Sequence, residues 1–184
     1  MNPAVTSKES ILEVSRNLIM EKGSAINIRE VASACGISVG SVYNYFGSKS
    51  ELVAATVESV WEDIFQPSAK KEILSDFNEC IRWIYGRIKW GNEKYPGFLA
   101  MHATNFIDEE KSKGRARMEQ SWQNIQRQML SVLKKDAKVR SDAFDRNFSE
   151  ENFIKLVFSI IIAALLQKDY DCAPLQEMVK RTIY

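Results

Sequence analysis

With 184 residues and 45% hydrophobic content, the chain can close one or two small domains around a genuine core. Twenty-five basic residues against twenty-four acidic ones leave a net charge of +1, which excludes a polycation and confines any nucleic-acid binding to a local patch. Cys35, Cys80 and Cys172 are odd in number, far apart and without C-x-x-C spacing, so neither a disulfide framework nor a zinc site is implied.

The opening stretch MNPAVTSKES has no apolar signal core. Helix starts and stops then follow in order. Thr6 and Glu9 read as a capping box, Ile11, Val14 and Leu18 recur at helical spacing, and Gly23 supplies a stop. Asn27 opens a second helix with an Ile26/Val31 staple, and Gly36 ends it after barely two turns. Ser38 caps a short third helix, again stapled, by Ile37 and Val42. Ser48 with Glu51 opens a fourth helix that runs to about Phe65, before Pro67.

Beyond Pro67 longer helices are predicted. Ile73, Phe77, Ile81, Ile84 and Ile88 mark one apolar stripe ending near Gly91, and Pro96 suits the first turn of a short helix through about Phe106. Residues 108–114 read as a charged turn. Met118, Trp122, Ile125, Met129 and Leu133 form a second stripe. Ser149 caps an apolar helix from about Glu150 to Lys168, and a last helix spans roughly Pro174 to Tyr184. The apolar run from Phe153 to Leu166 is broken by Lys155 and Ser159 and falls short of the ~20 residues that cross a bilayer, so no membrane and a cytoplasmic location are expected. The fold class is all-α, with about nine helices.

Residues 27–52 carry the functional signal. Two short helices separated by a three-residue turn that begins with Gly have helix-turn-helix geometry, and the Gly lets the chain leave the second helix with φ > 0. Ile28, Val31, Ala32, Ile37, Val42 and Phe46 lock the pair together, leaving Val39, Gly40, Ser41, Tyr43, Asn44 and Tyr45 to face outward. A small outer face lets a helix approach base edges, and hydroxyls with Lys49 can reach flanking phosphates. A plain helical hairpin with exposed tyrosines is the competing reading.

Val31-Ala32, Gly36-Ile37-Ser38, Gly40-Ser41-Val42-Tyr43, Tyr45-Phe46, Ser48-Lys49 and Leu52 occupy the places of the pattern that marks the DNA-binding domain of the TetR family of bacterial regulators. The segment resembles that domain over about residues 6–58, close to a third of the chain. The resemblance implies Arg29, Val39, Gly40 and Asn44 as base contacts, and Ser41, Tyr43, Tyr45 and Lys49 as phosphate contacts, joined by Thr6 or Ser7. It also implies a helix-turn-helix domain (residues 1–48), a connecting helix (49–66) and an effector-binding and dimerisation domain (67–184). The chain departs from the family pattern at Tyr45, where His is frequent, and at Gly47, commonly basic. Residues 1–60 hold Lys8, Arg16, Lys22, Arg29 and Lys49 against Glu9, Glu13, Glu21, Glu30, Glu51 and Glu58, a weak field that predicts a shallow salt dependence.

The rest of the chain agrees with the family in helix number and order. The family's plan implies a repressor that leaves operator DNA when a small organic effector enters its helical domain, with the last two helices (about 150–168 and 174–184) joining two copies into a homodimer. Trp83, Phe98, Met101, Phe106, Met118 and Trp122 are candidate apolar walls of that pocket, with His102, Asn105 and Gln126 as polar anchors. An ordinary core and control by a protein partner are the alternatives. His102 is the only histidine, so no metal site is expected, and no cofactor is implied. The absence of a phosphate loop, H-E-x-x-H or nucleophile elbow argues against an enzyme.

Overall fold

The computed structural model describes residues 7–22, 26–65, 74, 76–97 and 112–184, the last stretch with side chains from 119 onward. Among the described residues every regular element is helical: α1 (Lys8–Lys22), α2 (Ile28–Cys35), α3 (Val39–Phe46), α4 (Lys49–Phe65), α5 (Phe77–Lys94), α6 (Ser112–Leu133), α7 (Glu150–Gln167) and α8 (Ala173–Ile183). Of the short helix predicted from Pro96 through about Phe106, Pro96 and Gly97 form a turn instead, Gly97 with φ 72°, and the remainder from residue 98 lies outside the described part. The chain divides into two compact units, one of Met1–Ile64 with Gly91–Ser121 and one of Phe65–Trp90 with Trp122–Tyr184.

In the first unit the caps explain the breaks. The cap of α1 is Ser7, one residue later than the expected Thr6, which lies outside the described residues; Ser7 Oγ accepts the Ser10 N–H at 3.1 Å. Asn27 Oδ1 takes the Arg29 N–H at 3.0 Å. Ser38 Oγ takes the Ser41 N–H at 3.0 Å, and Ser48 Oγ the Glu51 N–H at 3.1 Å. Each cap satisfies a donor the helix leaves orphaned, and loss of one such bond costs about 1 kcal/mol. Packing runs from α1 onto α2 and from α2 onto α3. Ile11, Ile19, Val31, Ala32, Val42, Phe46 and Leu52 are all but inaccessible to solvent. The buried hydroxyls of Ser15 and Thr56 bond back to the Ile11 and Leu52 carbonyls at 2.8 Å, so neither leaves an unmet polar group.

The second unit begins its order at an N-terminal cap as well. Asp76 Oδ1 accepts the Glu79 N–H at 2.8 Å while its other oxygen holds Lys138 Nζ at 2.8 Å, and that ion pair keeps the Asp76 carboxyl below its ordinary range. Asp136, itself buried, accepts the Phe77 N–H at 2.9 Å and the Tyr184 hydroxyl, so one carboxylate ties the start of α5 to the end of the chain. Phe77 packs on Phe153 with centroids 5.7 Å apart, and Phe144 and Phe148 close on the same ring. Of the first predicted stripe, Phe77, Ile81, Ile84 and Ile88 are buried and Ile73 lies outside the described residues; Ile125, Met129 and Leu133 of the second stripe are buried too. Cys80 sits among them, its thiol pushed up to about 12 by burial. Among the described residues no helix is long and apolar enough to cross a membrane.

Candidate nucleic-acid interface

The turn between α2 and α3 follows from one glycine. Gly36 adopts φ 68°, ψ 26°, its N–H bonding the Ser33 carbonyl at 3.1 Å, and Ile37 N–H reaches back to Ala32 O at 3.0 Å. These two bonds make the Schellman closure, in which a left-handed residue after the helix satisfies its last carbonyls. The same bend sends Ile37 back toward Ala32 and lets α3 start at once from Ser38.

Burial fixes how α3 is turned. Val42 and Phe46 are fully inside, at 0% and 1% exposure. At about 100° per residue, Gly40 and Asn44 then lie on the line directly opposite. Val39 and Tyr43 flank that line on one side, Ser41 and Tyr45 on the other. Gly40, Tyr43, Asn44 and Tyr45 are exposed, and Val39 and Ser41 half-buried. The tyrosine rings, about 40% exposed each, stand at the two edges of a shallow central strip. Ser41 Oγ lies 2.9 Å from Ser38 Oγ within the cap.

Cations near this face are few. Lys22 is bound to Glu30 at 3.0 Å, Lys8 sits over the Phe46 ring at 5.2 Å, and Arg16 acts on Asp63. Arg29, at the start of α2, and Lys49, at the start of α4, are exposed, and their side chains have no partner among the described residues. Ser7 closes its hydroxyl onto Ser10, 2.9 Å away. The arrangement therefore offers a strip of small side chains with one amide, a tyrosine on each side, and, outside α3, two cations without a partner among the described residues.

One contact that holds this unit together has no local sequence signal. Asp63 Oδ2, near the end of α4, accepts Lys94 Nζ at 2.8 Å and the Tyr95 hydroxyl at 2.9 Å. Tyr95 is 1% exposed. Burial pushes the Asp63 carboxyl up, but the two hydrogen bonds and the charges of Lys94 and Arg16 outweigh it and hold the group below its ordinary range. The partners are 31 and 32 positions away, beyond the reach of any periodicity argument.

Residues 11–56 match the family described as bacterial regulatory proteins, tetR family. The match identifies this segment as a DNA-binding domain of the TetR kind. A 52-residue stretch is 44% identical to the uncharacterized HTH-type transcriptional regulator YerO of Bacillus subtilis (strain 168). That stretch spans 28% of this chain and 18% of the length of that relative, so the likeness is one of the DNA-binding head.

Of the effector-pocket candidates, Phe98, Met101, His102, Asn105 and Phe106 lie outside the described residues, as does the side chain of Met118. In the second unit, Trp83 packs on Phe65 with centroids 6.1 Å apart, and Trp122 meets Phe158 edge-on at 5.9 Å. The buried Trp122 indole N–H finds no acceptor among the described residues. Gln126 lines an open groove of about 220 Å³ between α6 and α7, with Gln123, Arg127, Leu130, Ile154 and Lys155.

Proposed function

We propose that this chain is a transcriptional regulator that grips operator DNA as a homodimer, represses by occupying it, and leaves it when a small organic effector binds the helical domain. The observation that carries the DNA-binding part is the outward face of α3, small along its centre and presented by a Gly36 turn within a segment that matches the TetR family. Val39, Gly40 and Asn44, with Arg29, would meet base edges; Ser41, Tyr43, Tyr45 and Lys49 would meet phosphates, with Ser7 or Thr6 beside them. A cytoplasmic location goes with this role.

Dimer formation is supported by an apolar stripe on α7. Leu156, Ile160 and Leu166 are 56%, 39% and 41% exposed, and Met178 of α8 is 39% exposed. Large aliphatic side chains at such exposure along one stretch of helix suit cover by a second copy. Two heads so joined reach successive major grooves when they stand about 34–36 Å apart. The buried Trp122 N–H, without an acceptor among the described residues, supports an effector with a hydrogen-bond acceptor, because an unmet buried donor gains most from a new partner. Coupling is reciprocal: an effector that weakens DNA binding a hundredfold is itself bound a hundredfold less well by the DNA complex, about 2.7 kcal/mol.

The test is equilibrium binding to duplex DNA by fluorescence anisotropy. Tyr43→Ala and Lys49→Ala, both at exposed positions, should weaken binding to every sequence while leaving the helical circular dichroism unchanged; unaltered affinity in both variants would sink the contact assignment.

A further inference from the structure

The composition of the outward strip of α3 is selective as well as small. The helix reads VGSVYNYF and holds no Lys, Arg, Gln, Asp or Glu. Asn44, on the line opposite Val42 and Phe46, is exposed and its amide makes no hydrogen bond among the described residues. One turn earlier on the same line stands Gly40, where an added Cβ would meet only Ser38 Oγ at 3.6 Å. The strip is thus a flat floor of backbone, the half-buried Val39 methyls at its side, and a single carboxamide able to donate and accept at once.

Base pairs in the major groove differ in what they ask of such a strip. Guanine shows two acceptors, N7 and O6, which an Arg or Lys reads best. Adenine shows an acceptor and a donor, N7 and the 6-amino group, which match the two ends of an Asn amide. Thymine adds a methyl group that favours apolar contact. A helix without a cation or a carboxylate has no strong partner for either base of a G·C pair.

We infer that α3 selects A·T pairs, with Asn44 placed on an adenine and the Val39–Gly40 surface against a neighbouring thymine methyl. Selection of guanine falls to Arg29, which stands on α2 with a guanidinium that has no partner among the described residues, so any G·C preference lies at the edge of the half-site. This assignment rests on the DNA-binding reading above and names the class of site that reading leaves open. The two flanking tyrosines fix the helix in the groove without choosing a sequence.

Selection from a pool of random-sequence duplexes with the full-length protein tests it, followed by anisotropy titrations of the best site with wild type and Asn44→Ala. The expected result is a half-site with an A·T centre. Wild type should lose about tenfold or more when the adenine is exchanged, and Asn44→Ala should lose that discrimination while keeping its helical circular dichroism. Asn44→Gln, which keeps the amide, should retain part of it, whereas Arg29→Ala should relax a different, outer position. A G·C centre, or discrimination unchanged in Asn44→Ala, overturns the inference and leaves DNA binding standing. Binding without sequence preference also overturns it. No binding to any duplex overturns the regulator reading itself.

Discussion

The salt dependence of DNA binding follows from which cations are free. Of the five in residues 1–60, Lys22 is spent on Glu30, Arg16 faces Asp63 and Lys8 is held on the Phe46 ring. Arg29 and Lys49 remain; a guanidinium in the groove displaces condensed counterions much as an ammonium on a phosphate does, so each head counts for about two charges and the slope of log K against log salt is about −1.8 per head, or about −3.6 for two. Raising monovalent salt from about 50 to about 200 mM should then weaken binding by about 150-fold for two heads acting together. A protein making many cation contacts loses far more. Lys49→Ala removes one contact per head and should bring the slope near about −1.8, because the tyrosine and serine hydroxyls release no counterions. The assay is anisotropy of a labelled operator-length duplex across a salt series. A wild-type slope beyond about −7, or a slope that Lys49→Ala leaves unchanged, would refute the reasoning.

Other perturbations report on separate parts of the account. Gly36→Ala meets no neighbouring atom, so its cost is the left-handed backbone alone, about 1–2 kcal/mol in urea unfolding; a change within error would remove the strain argument. Leu156→Glu with Ile160→Glu should convert a dimer to a monomer in sedimentation, and an unaltered dimer would place the interface elsewhere. Asp63 and Asp76 have carboxyls held below the ordinary range, so their contribution to stability is complete above about pH 4, the unfolded value, and is lost as pH falls through their folded values. Tyr95→Phe, which keeps the ring and drops one bond to Asp63, should cost about 1–2 kcal/mol and flatten that acid limb. An unchanged acid limb would disconnect Asp63 from it.

What the sequence made legible is what is local. The caps at Asn27, Ser38, Ser48 and Ser149 act over two or three residues, so the residue types announce them. The stripe Phe77, Ile81, Ile84, Ile88 was readable because a helix repeats its core face every three or four positions. Boundaries set by distant groups were not. α5 starts at Phe77, where Asp136 takes a backbone N–H from 59 positions away. It continues past Gly91 to Lys94, since one glycine inside a helix costs only about 1 kcal/mol and Tyr95 packs into the core beyond it. α6 begins at Ser112, inside the stretch read as a charged turn. The outward face of α3 was visible in the sequence because both of its anchors, Val42 and Phe46, are four residues apart. The Asp63–Lys94–Tyr95 junction was invisible for the opposite reason.

The claim on which the rest depends is that the exposed strip of α3 enters DNA. Asn44→Glu tests it most directly, since it places a carboxylate at the centre of that strip while Val42 and Phe46 stay buried. Titrated against a labelled random-sequence duplex, the wild type should show saturable binding that competitor DNA reverses, and Asn44→Glu should show none with its helicity intact. Equal binding by the two proteins, or none by the wild type at low salt, would contradict the account.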